Sequence, residues 1–311
     1  MLEIFTITAP IFILIGLGFA SSLSGLFTRT QIAGMGSFVI NFALPALVIK
    51  ALAEKPIGEV LNSDYLIAYS AGSLLVFAAG LWFSLKVRKE SLASSTITAL
   101  GMSASNSAFI GYPIVFMVVG PIAAVALALN MLIENLIMLP LALALSVTDG
   151  EKQNGQSRGT VLWAMATRTA KNPIIISLAI GLGLSISRIP IPSILFKVID
   201  MLALASAPVA LFVIGAALYG LRPQGLLLDL AQVSFGKLIL HPAAVVAIFL
   251  LFPDGDPQMK IAGVLMASAP MMSIYPIVGQ RVGLEGRCSA ALVCATVISF
   301  ITISVLVGFV R

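Results

Sequence analysis

The sequence predicts an all-α integral membrane protein with ten transmembrane helices. Of its 311 residues, 59% are hydrophobic and only 10% are charged, whereas soluble domains carry about 25% charged residues. So few charges cannot cover a water-facing surface, and lipid must therefore solvate most of the chain. A spanning helix takes about 20 largely apolar residues. Helices are expected because open strands would leave backbone groups unpaired in lipid.

Ten apolar segments, separated by polar residues, are the predicted spans. They run over residues 4–23, 32–52, 65–85, 96–119, 122–147, 173–187, 194–218, 231–252, 261–282 and 289–310. The first has no basic region before it and no cleavage site after it, which indicates a retained helix. The sixth is short and either borrows residues from 161–170 or leaves that stretch along the interface. Cys288 and Cys294 fit no metal or redox spacing.

The polar stretch at residues 148–171 is interpreted as a cytoplasmic linker between two five-helix halves, 1–147 and 172–311. Connections after odd-numbered segments hold eleven Lys and Arg residues, and the opposite face holds six. Lys237, placed near the start of the eighth segment, would add to the first face. The positive-inside rule then puts the linker in the cytoplasm and both termini on the outer face of the cell (inner) membrane. The net charge of +5 is attributed to Lys and Arg residues that orient the helices in the membrane, and no nucleic-acid partner is expected.

The two halves resemble each other at a constant offset of 163 residues. The residue pairs that share this offset are Pro10 and Pro173, Pro45 and Pro208, Pro113 and Pro276, Tyr112 and Tyr275, and Gly120 and Gly283. Since each half has five helices, the second half must start on the opposite face of the membrane. The repeats are therefore predicted to be inverted, an arrangement that recurs in secondary transporters.

The fourth and ninth segments are predicted to be broken at prolines and to cross near the membrane midplane. Small and hydroxyl residues lie beside Pro113 and Pro276, and proline inside a helix costs about 3 kcal/mol or more. Helices restarting at these prolines would leave free N–H groups at residues 114–116 and 277–279. Two such positive helix ends would attract an anion without a buried cation. The alternative is a simple proline kink satisfied by neighbouring hydroxyls.

Four short sequence motifs resemble those of the auxin efflux carrier family, whose bacterial members are similar to malonate and malate permeases. The motifs are Asn41-Phe-Ala-Leu-Pro-Ala, Asn106-Ser-Ala-Phe-Ile-Gly-Tyr-Pro113, Ala207-Pro-Val-Ala-Leu-Phe and Lys237-Leu-Ile-Leu-His-Pro242. The resemblance implies ten helices, a scaffold of helices 1, 2, 6 and 7, and a mobile bundle of helices 3–5 and 8–10. It also implies that the fourth and ninth helices cross, and that the chain forms a homodimer.

The broken segments supply the expected site residues. The predicted substrate-binding residues are Ser105, Asn106, Ser107, Gly111, Tyr112, Pro113, Ser268, Tyr275 and Pro276. Glu134 is the only acid well inside a predicted span, where a charge costs about 2.5–3.5 kcal/mol, and Asn130 lies one turn earlier. Both are candidates for proton or sodium coupling. The alternatives are a neutral, structural Glu134 and an error in the span boundary. His241 is expected to be structural, and Lys50 and Asp200 are expected to reach the interface. No metal or cofactor is expected.

These observations predict a secondary transporter, active or facilitative, for a small organic anion. The expected substrate is a mono- or dicarboxylate such as malonate, malate or an auxin-like acid, carried by alternating access of the elevator type. An anion channel and a uniporter without ion coupling are the alternatives. No P-loop is present, which argues against ATP-driven pumping. A single histidine, with no metal cluster or triad, argues against an intramembrane enzyme.

Overall fold

The computed structural model describes residues 2–53, 61–146, 163, 167, 170–219 and 227–310, without the side chains of residues 2–8 and 310. All regular structure in these residues is helical. The predicted linker at residues 148–171 lies almost entirely outside the described residues, and its role stays a prediction.

The described helices follow the order of the predicted segments. They are α1 (Leu2–Leu23), α2 (Arg29–Ala53), α3 (Ser63–Lys86), α4 (Leu92–Val119), α5 (Ile122–Leu145), α6 (Pro173–Ser187), α7 (Ser193–Leu218), α8 (Leu227–Phe249), α9 (two short helices, Pro257–Ser268 and Tyr275–Gln280) and α10 (Glu285–Val310). Seven of them, namely α2, α3, α4, α5, α7, α8 and α10, are long and apolar enough to cross a membrane. Spans at α1, α6 and α9 stay predictions.

Side-chain caps explain where several helices begin. Thr28, Asn62 and Ser91 each accept a backbone N–H from the first turn of α2, α3 and α4. Asn172 and Asp256 do the same for α6 and α9, and in both helices a proline follows the cap. A cap satisfies one of the donors that a helix start leaves free, and proline at the first position has no N–H to lose.

Four prolines inside helices are each preceded by a short π-helical segment. The segments are Val39–Ala43 before Pro45, Ser107–Gly111 before Pro113, Glu134–Met138 before Pro140 and Gly236–Leu240 before Pro242. In each, the residue before the proline donates its N–H to the carbonyl five residues earlier. Proline cannot donate an N–H, and its ring clashes with the carbonyl four residues back. The wider π turn relieves that clash without ending the helix.

The helices pack as two groups, one of α1, α2, α6 and α7 and the other of α3, α4, α8, α9 and α10. Helix α1 lies along α7, and α2 packs on α6 and α7, whereas α3 packs on α4 and α8, and α9 on α8 and α10. Gly18 and Gly215 let α1 and α7 approach closely, since a Cβ at either would clash with a carbonyl oxygen of the other helix, that of Phe212 or Ile15. Small residues at helix crossings are how membrane helices maximise packing contact. Lys50 and Asp200 join α2 to α7 with an ion pair of 2.5 Å; that both reach the membrane interface stays a prediction.

Four charged side chains form a ring of ion pairs at one end of the group that contains α3, α4, α8, α9 and α10. Arg88 pairs with Asp229 and lies 3.5 Å from Glu90, while Arg287 pairs with Glu90 at 3.0 Å and with Asp229 at 3.2 Å. The ring joins the end of α3 and the connection into α4 to the starts of α8 and α10. Helix α8 therefore runs antiparallel to α3, because Gly255, beyond its far end, approaches the Asp64 carboxylate at the start of α3.

Candidate functional site

Helix α4 is interrupted, but not at its proline. Its first half ends at Ser103, residues 104–106 are non-helical, and helical structure resumes at Ser107. Pro113 lies well inside the second half, where the π segment Ser107–Gly111 accommodates it. The predicted restart at Pro113 is therefore wrong. The N–H groups of residues 114–116 lie within the helix and are not at its free end.

In α9 the chain is non-helical between Ser268 and Tyr275, and Pro276 lies in the first turn of the second short helix. Asn106 joins this interruption to the one in α4. Its backbone N–H donates to the Pro270 carbonyl at 2.7 Å, and its Nδ2 donates to Ser273 Oγ at 2.7 Å. Asn106 Oδ1 also accepts from the Phe109 N–H and caps the second half of α4. The two interrupted segments therefore touch at Asn106.

Glu134 lies against the interruption of α4 and is 1% exposed. Its Oε1 accepts from the Ser105 N–H at 3.1 Å and from Ser107 Oγ at 2.7 Å. Asn130 donates from Nδ2 to the same Ser107 hydroxyl at 3.1 Å. Glu134 Oε2 is buried with no hydrogen-bond partner among the described residues. The candidate coupling residues and two predicted site serines thus form one cluster.

Lys237 is a buried cation that the sequence analysis misplaced. It lies in the π segment of α8, is 0% exposed, and cannot contribute to either membrane face. Its Nζ donates to His241 Nδ1 at 2.9 Å and to the carbonyl of Ala267, in the last turn before the interruption of α9. The prediction that Lys237 adds to the positive charge of the first membrane face is therefore wrong. The helix end at Ala267 favours a positive charge.

One face of α3 connects these clusters. Tyr65, Tyr69 and Ser73 follow a four-residue spacing, so they lie above one another on the helix. Tyr65 donates to Asn130 Oδ1 at 2.8 Å, the Tyr69 hydroxyl lies 2.9 Å from Ser105 Oγ, and Ser73 Oγ lies 2.8 Å from His241 Nε2. The two ring nitrogens of His241 therefore contact the Ser73 hydroxyl on one side and Lys237 Nζ on the other.

The remaining predicted site residues are buried nearby but make other contacts. Ser268 returns its hydroxyl to the carbonyls of residues 264 and 265 in its own helix. Tyr275 packs against Gly101 of α4, and Gly111 lies against the Met266 sulfur of α9. Tyr112 and Pro113 are also buried, in the second half of α4. These residues hold the crossing together, and the structure does not bring their side chains into the polar clusters.

Sequence reasoning missed Lys237, Ser273, Tyr65 and Tyr69. A usable signal was present in the four-residue spacing of Lys237 and His241, which matches that of Asn130 and Glu134. Two polar residues one turn apart in an apolar segment indicate a buried polar face. Ser273 gave no comparable signal, because its role depends on the path of the chain between two helices.

A separate cavity of about 360 Å³ lies where the ends of α1 and α7 meet the start of α2. Its lining residues are Ser22, Phe27, Arg29, Ile32, Ala33, Gly36, Val213, Ala216, Ala217 and Tyr219. Phe109, in the second half of α4, packs on the same cluster that contains Ile32 and Val213. Within the described ranges, no three His, Cys, Asp or Glu side chains gather in a way that could hold a metal ion.

The crossing of two interrupted apolar helices around buried polar side chains suggests a transport protein, and comparison with known proteins decides the family. A family model described as "Membrane transport protein" matches residues 3–307. The chain belongs to this family, the auxin efflux carriers. It is 28% identical to a Rhizobium meliloti protein named "Putative malonate transporter", over all of this chain and 97% of that protein. It is 24% identical to the "Uncharacterized transporter YfdV" of Escherichia coli K12, over 94% of this chain and 92% of that protein.

Proposed function

We propose that this auxin efflux carrier family member is a secondary transporter of a small carboxylate, with malonate as the first candidate. The observation that carries the proposal is the contact of the two interruptions at Asn106, with the Lys237 ammonium on the carbonyl of Ala267 beside them. Interrupted helices that meet at mid-depth are where transporters of this kind bind their substrates.

The chemistry around the crossing suits an anion. Lys237 supplies a buried positive charge, and Asn106 and Ser273 supply an amide and a hydroxyl at the contact itself. The N–H groups at the helix starts are less available to an anion than expected, because Asn106 and Glu134 already accept N–H groups at the beginning of the second half of α4. The similarity to a protein named as a malonate transporter supports a carboxylate, and malate and auxin-like acids remain candidate substrates.

Alternating access by an elevator movement is the proposed mechanism. The division into an α1, α2, α6 and α7 group and an α3, α4, α8, α9 and α10 group supports a scaffold and a mobile bundle. Gly120 and Gly283, which are 163 residues apart, both follow the second part of an interrupted segment with positive φ, 70° and 74°. That match, and the antiparallel α3 and α8, support ten helices in an inverted repeat. Both termini would lie outside the inner membrane, and the protein would be a homodimer.

Counterflow in proteoliposomes tests the proposal. Vesicles preloaded with unlabelled malonate and diluted into a trace of radiolabelled malonate should accumulate the label transiently, at a rate that saturates with concentration. A carrier gives this result because it exchanges one bound substrate for another. An anion channel would give malonate conductance without counterflow, and that result would favour the alternative. Absence of both, for malonate and for a panel of other mono- and dicarboxylates, would contradict the proposed function.

A further inference from the structure

Two buried ionisable groups of opposite sign lie at the crossing without touching. Lys237 is 0% exposed and Glu134 is 1% exposed. Among the described residues, no carboxylate oxygen lies within the 4.0 Å of an ion pair from the Lys237 ammonium. An isolated charge in a low-dielectric interior is costly, so this arrangement needs a reason.

Each group is held at the end of an interrupted helix whose partial charge opposes its own. Glu134 accepts the Ser105 N–H, just ahead of the second half of α4. Lys237 donates to the Ala267 carbonyl, in the last turn of the first α9 helix. Helix starts favour negative charge and helix ends favour positive charge. The two interruptions therefore keep a carboxylate and an ammonium apart inside one bundle.

The hydrogen bonds leave one position open on each group. Glu134 Oε1 has two donors, whereas Oε2 has no partner among the described residues. The ammonium has three N–H groups, and the described residues provide acceptors for two of them, on His241 and Ala267. In the part of the chain that the structure describes, the acid thus keeps an open acceptor and the base an open donor.

We infer that Lys237 is a resident counter-cation and Glu134 the proton carrier, so that one monovalent carboxylate crosses with one proton and no net charge. This inference rests on the proposed function. In the empty bundle the ammonium and the Glu134 carboxylate cancel. In the loaded bundle the substrate carboxylate cancels the ammonium, and a proton on Oε2 neutralises Glu134. Both forms are neutral and can move through a low-dielectric scaffold, whereas a charged form would pay for desolvation.

The proton balance is simple. One O–H bond forms at Glu134 Oε2 when the proton binds and breaks when it leaves on the other side, and no electrons are transferred. A dicarboxylate is therefore carried as its monoanion, hydrogen malonate in the case of malonate. A dianion would leave one uncompensated negative charge in the bundle.

The groups around the pair leave Glu134 as the acid that changes its charge. The titratable side chains that face Glu134 are Tyr65 and Tyr69 on α3 and Lys237 on α8. Those that face Lys237 are His241, on its own helix, and Glu134. The segments α4 and α9 present a hydroxyl, a backbone N–H and a carbonyl group to them. Both tyrosines bond to neutral partners, and His241 bonds to the Ser73 hydroxyl and to Lys237.

The test uses the full-length chain in proteoliposomes, with radiolabelled malonate as the probe. A pH gradient and a potassium–valinomycin potential are imposed separately. The parent should accumulate malonate in response to an inward proton gradient and should ignore the membrane potential. Glu134→Gln should retain malonate exchange in counterflow but should accumulate less malonate than the parent in the same pH gradient, because the only proton that crosses is then the one on hydrogen malonate. Its net uptake should become sensitive to potential, because the empty bundle then carries the charge of Lys237.

Paired variants keep the inference testable if a single charge prevents folding. The double variant Lys237→Gln with Glu134→Gln removes both charges, so its loaded bundle carries the charge of the substrate; its malonate uptake should be weaker than the parent's and should follow the potential. Lys197→Gln, an exposed lysine of α7, should behave as the parent does. Saturable counterflow with no response to the pH gradient in the parent would overturn the pairing but leave the carrier intact. Absence of counterflow for every carboxylate would contradict the carrier itself.

Discussion

Asn106 donates from Nδ2 to the Ser273 hydroxyl over 2.7 Å, so a single amide bridges the interruptions of α4 and α9. The two residues are far apart in sequence, and each lies where its segment leaves helical geometry. An amide in this position has one N–H bound to the other segment and its oxygen on the Phe109 N–H. Asn106 therefore contacts both segments at the place where a substrate is proposed to bind.

Asn106→Leu should weaken carboxylate binding. The change keeps a similar volume but removes a polar partner, and a hydrogen bond to a charged group contributes about 1.5–3 kcal/mol. The malonate dissociation constant should therefore rise roughly tenfold or more, as measured by calorimetric titration. Asn135→Leu is the matched control, because the Asn135 amide donates only to Met131 of its own helix. Equal affinity in the parent and Asn106→Leu would place the site elsewhere.

Tyr65→Phe should destabilise the packing of α3 on α5. It leaves the Asn130 Oδ1 atom, buried in the core, without the donor that now lies 2.8 Å away. An unsatisfied buried acceptor costs about 1–3 kcal/mol, and the free energy of unfolding should fall by that amount. Tyr219→Phe, at a residue that is 42% exposed, should change the unfolding free energy little. An equal loss of unfolding free energy in both variants would show that the Tyr65 hydrogen bond does not account for the loss.

Gly215→Ala should loosen the packing of α1 on α7, because the added Cβ would collide with the Ile15 carbonyl of α1. The helices must separate to accept it, and overpacking typically costs about 1–3 kcal/mol. Thermal unfolding in detergent should show a lower midpoint for this variant. Gly16→Ala is the control, since a Cβ there meets nothing within 4 Å. If both alanine variants unfold at the parental midpoint, the close approach of α1 and α7 is not as the structure has it.

Asp229→Asn should weaken the charge ring. Asp229 accepts a hydrogen bond from Arg88 and forms an ion pair with Arg287, and an amide would turn an N–H towards one of these guanidinium groups. The loss of a hydrogen bond to a charged group costs about 1.5–3 kcal/mol, which should appear as a lower unfolding free energy. Asp254→Asn, on the exposed connection between α8 and α9, should have no such effect. An unaltered unfolding free energy for Asp229→Asn would show that the ring contributes little to stability.

Cysteine labelling tests the topology. Lys89 lies at the end of α3 beside the charge ring, and Asp254 lies at the far end of the antiparallel α8. The bias of Lys and Arg residues puts the first in the cytoplasm. Lys89→Cys should react with a membrane-impermeant thiol reagent only in inverted vesicles, and Asp254→Cys only in intact cells. The parent controls for Cys288 and Cys294. Reaction of both variants from one side would contradict the proposed orientation.

The extent of the helices was predictable from the sequence, because apolar length is a property of each segment alone. The response to internal prolines was not. Pro113 was expected to break α4, yet it follows a π segment, and the interruption lies at residues 104–106 instead. The same accommodation occurs before Pro45, Pro140 and Pro242. A missing N–H can be absorbed by one wider turn, and sequence pattern does not distinguish that outcome from a break.

The burial of Lys237 was not predictable from its position in the segment. Bases near segment ends usually mark the cytoplasmic face, and α8 begins four residues earlier than expected, at Leu227. That shift moves Lys237 from the edge of the segment to its interior. Glu134 was identifiable because a four-residue error in either bound of its segment would still leave it inside the segment. Its partners Ser105 and Ser107 were on the predicted list, whereas the tyrosines of α3 depend on how the helices pack.

Malonate-dependent thermal stabilisation tests most directly whether the crossing, with Lys237, is the anion site. Purified protein is unfolded with increasing malonate, and the parent, Lys197→Gln and Lys237→Gln are compared. A ligand at one hundred times its dissociation constant stabilises the folded state by about 2.7 kcal/mol. The parent and Lys197→Gln should show a shift that saturates, and Lys237→Gln should show little or none over the same range. An equal shift in all three proteins would contradict the account.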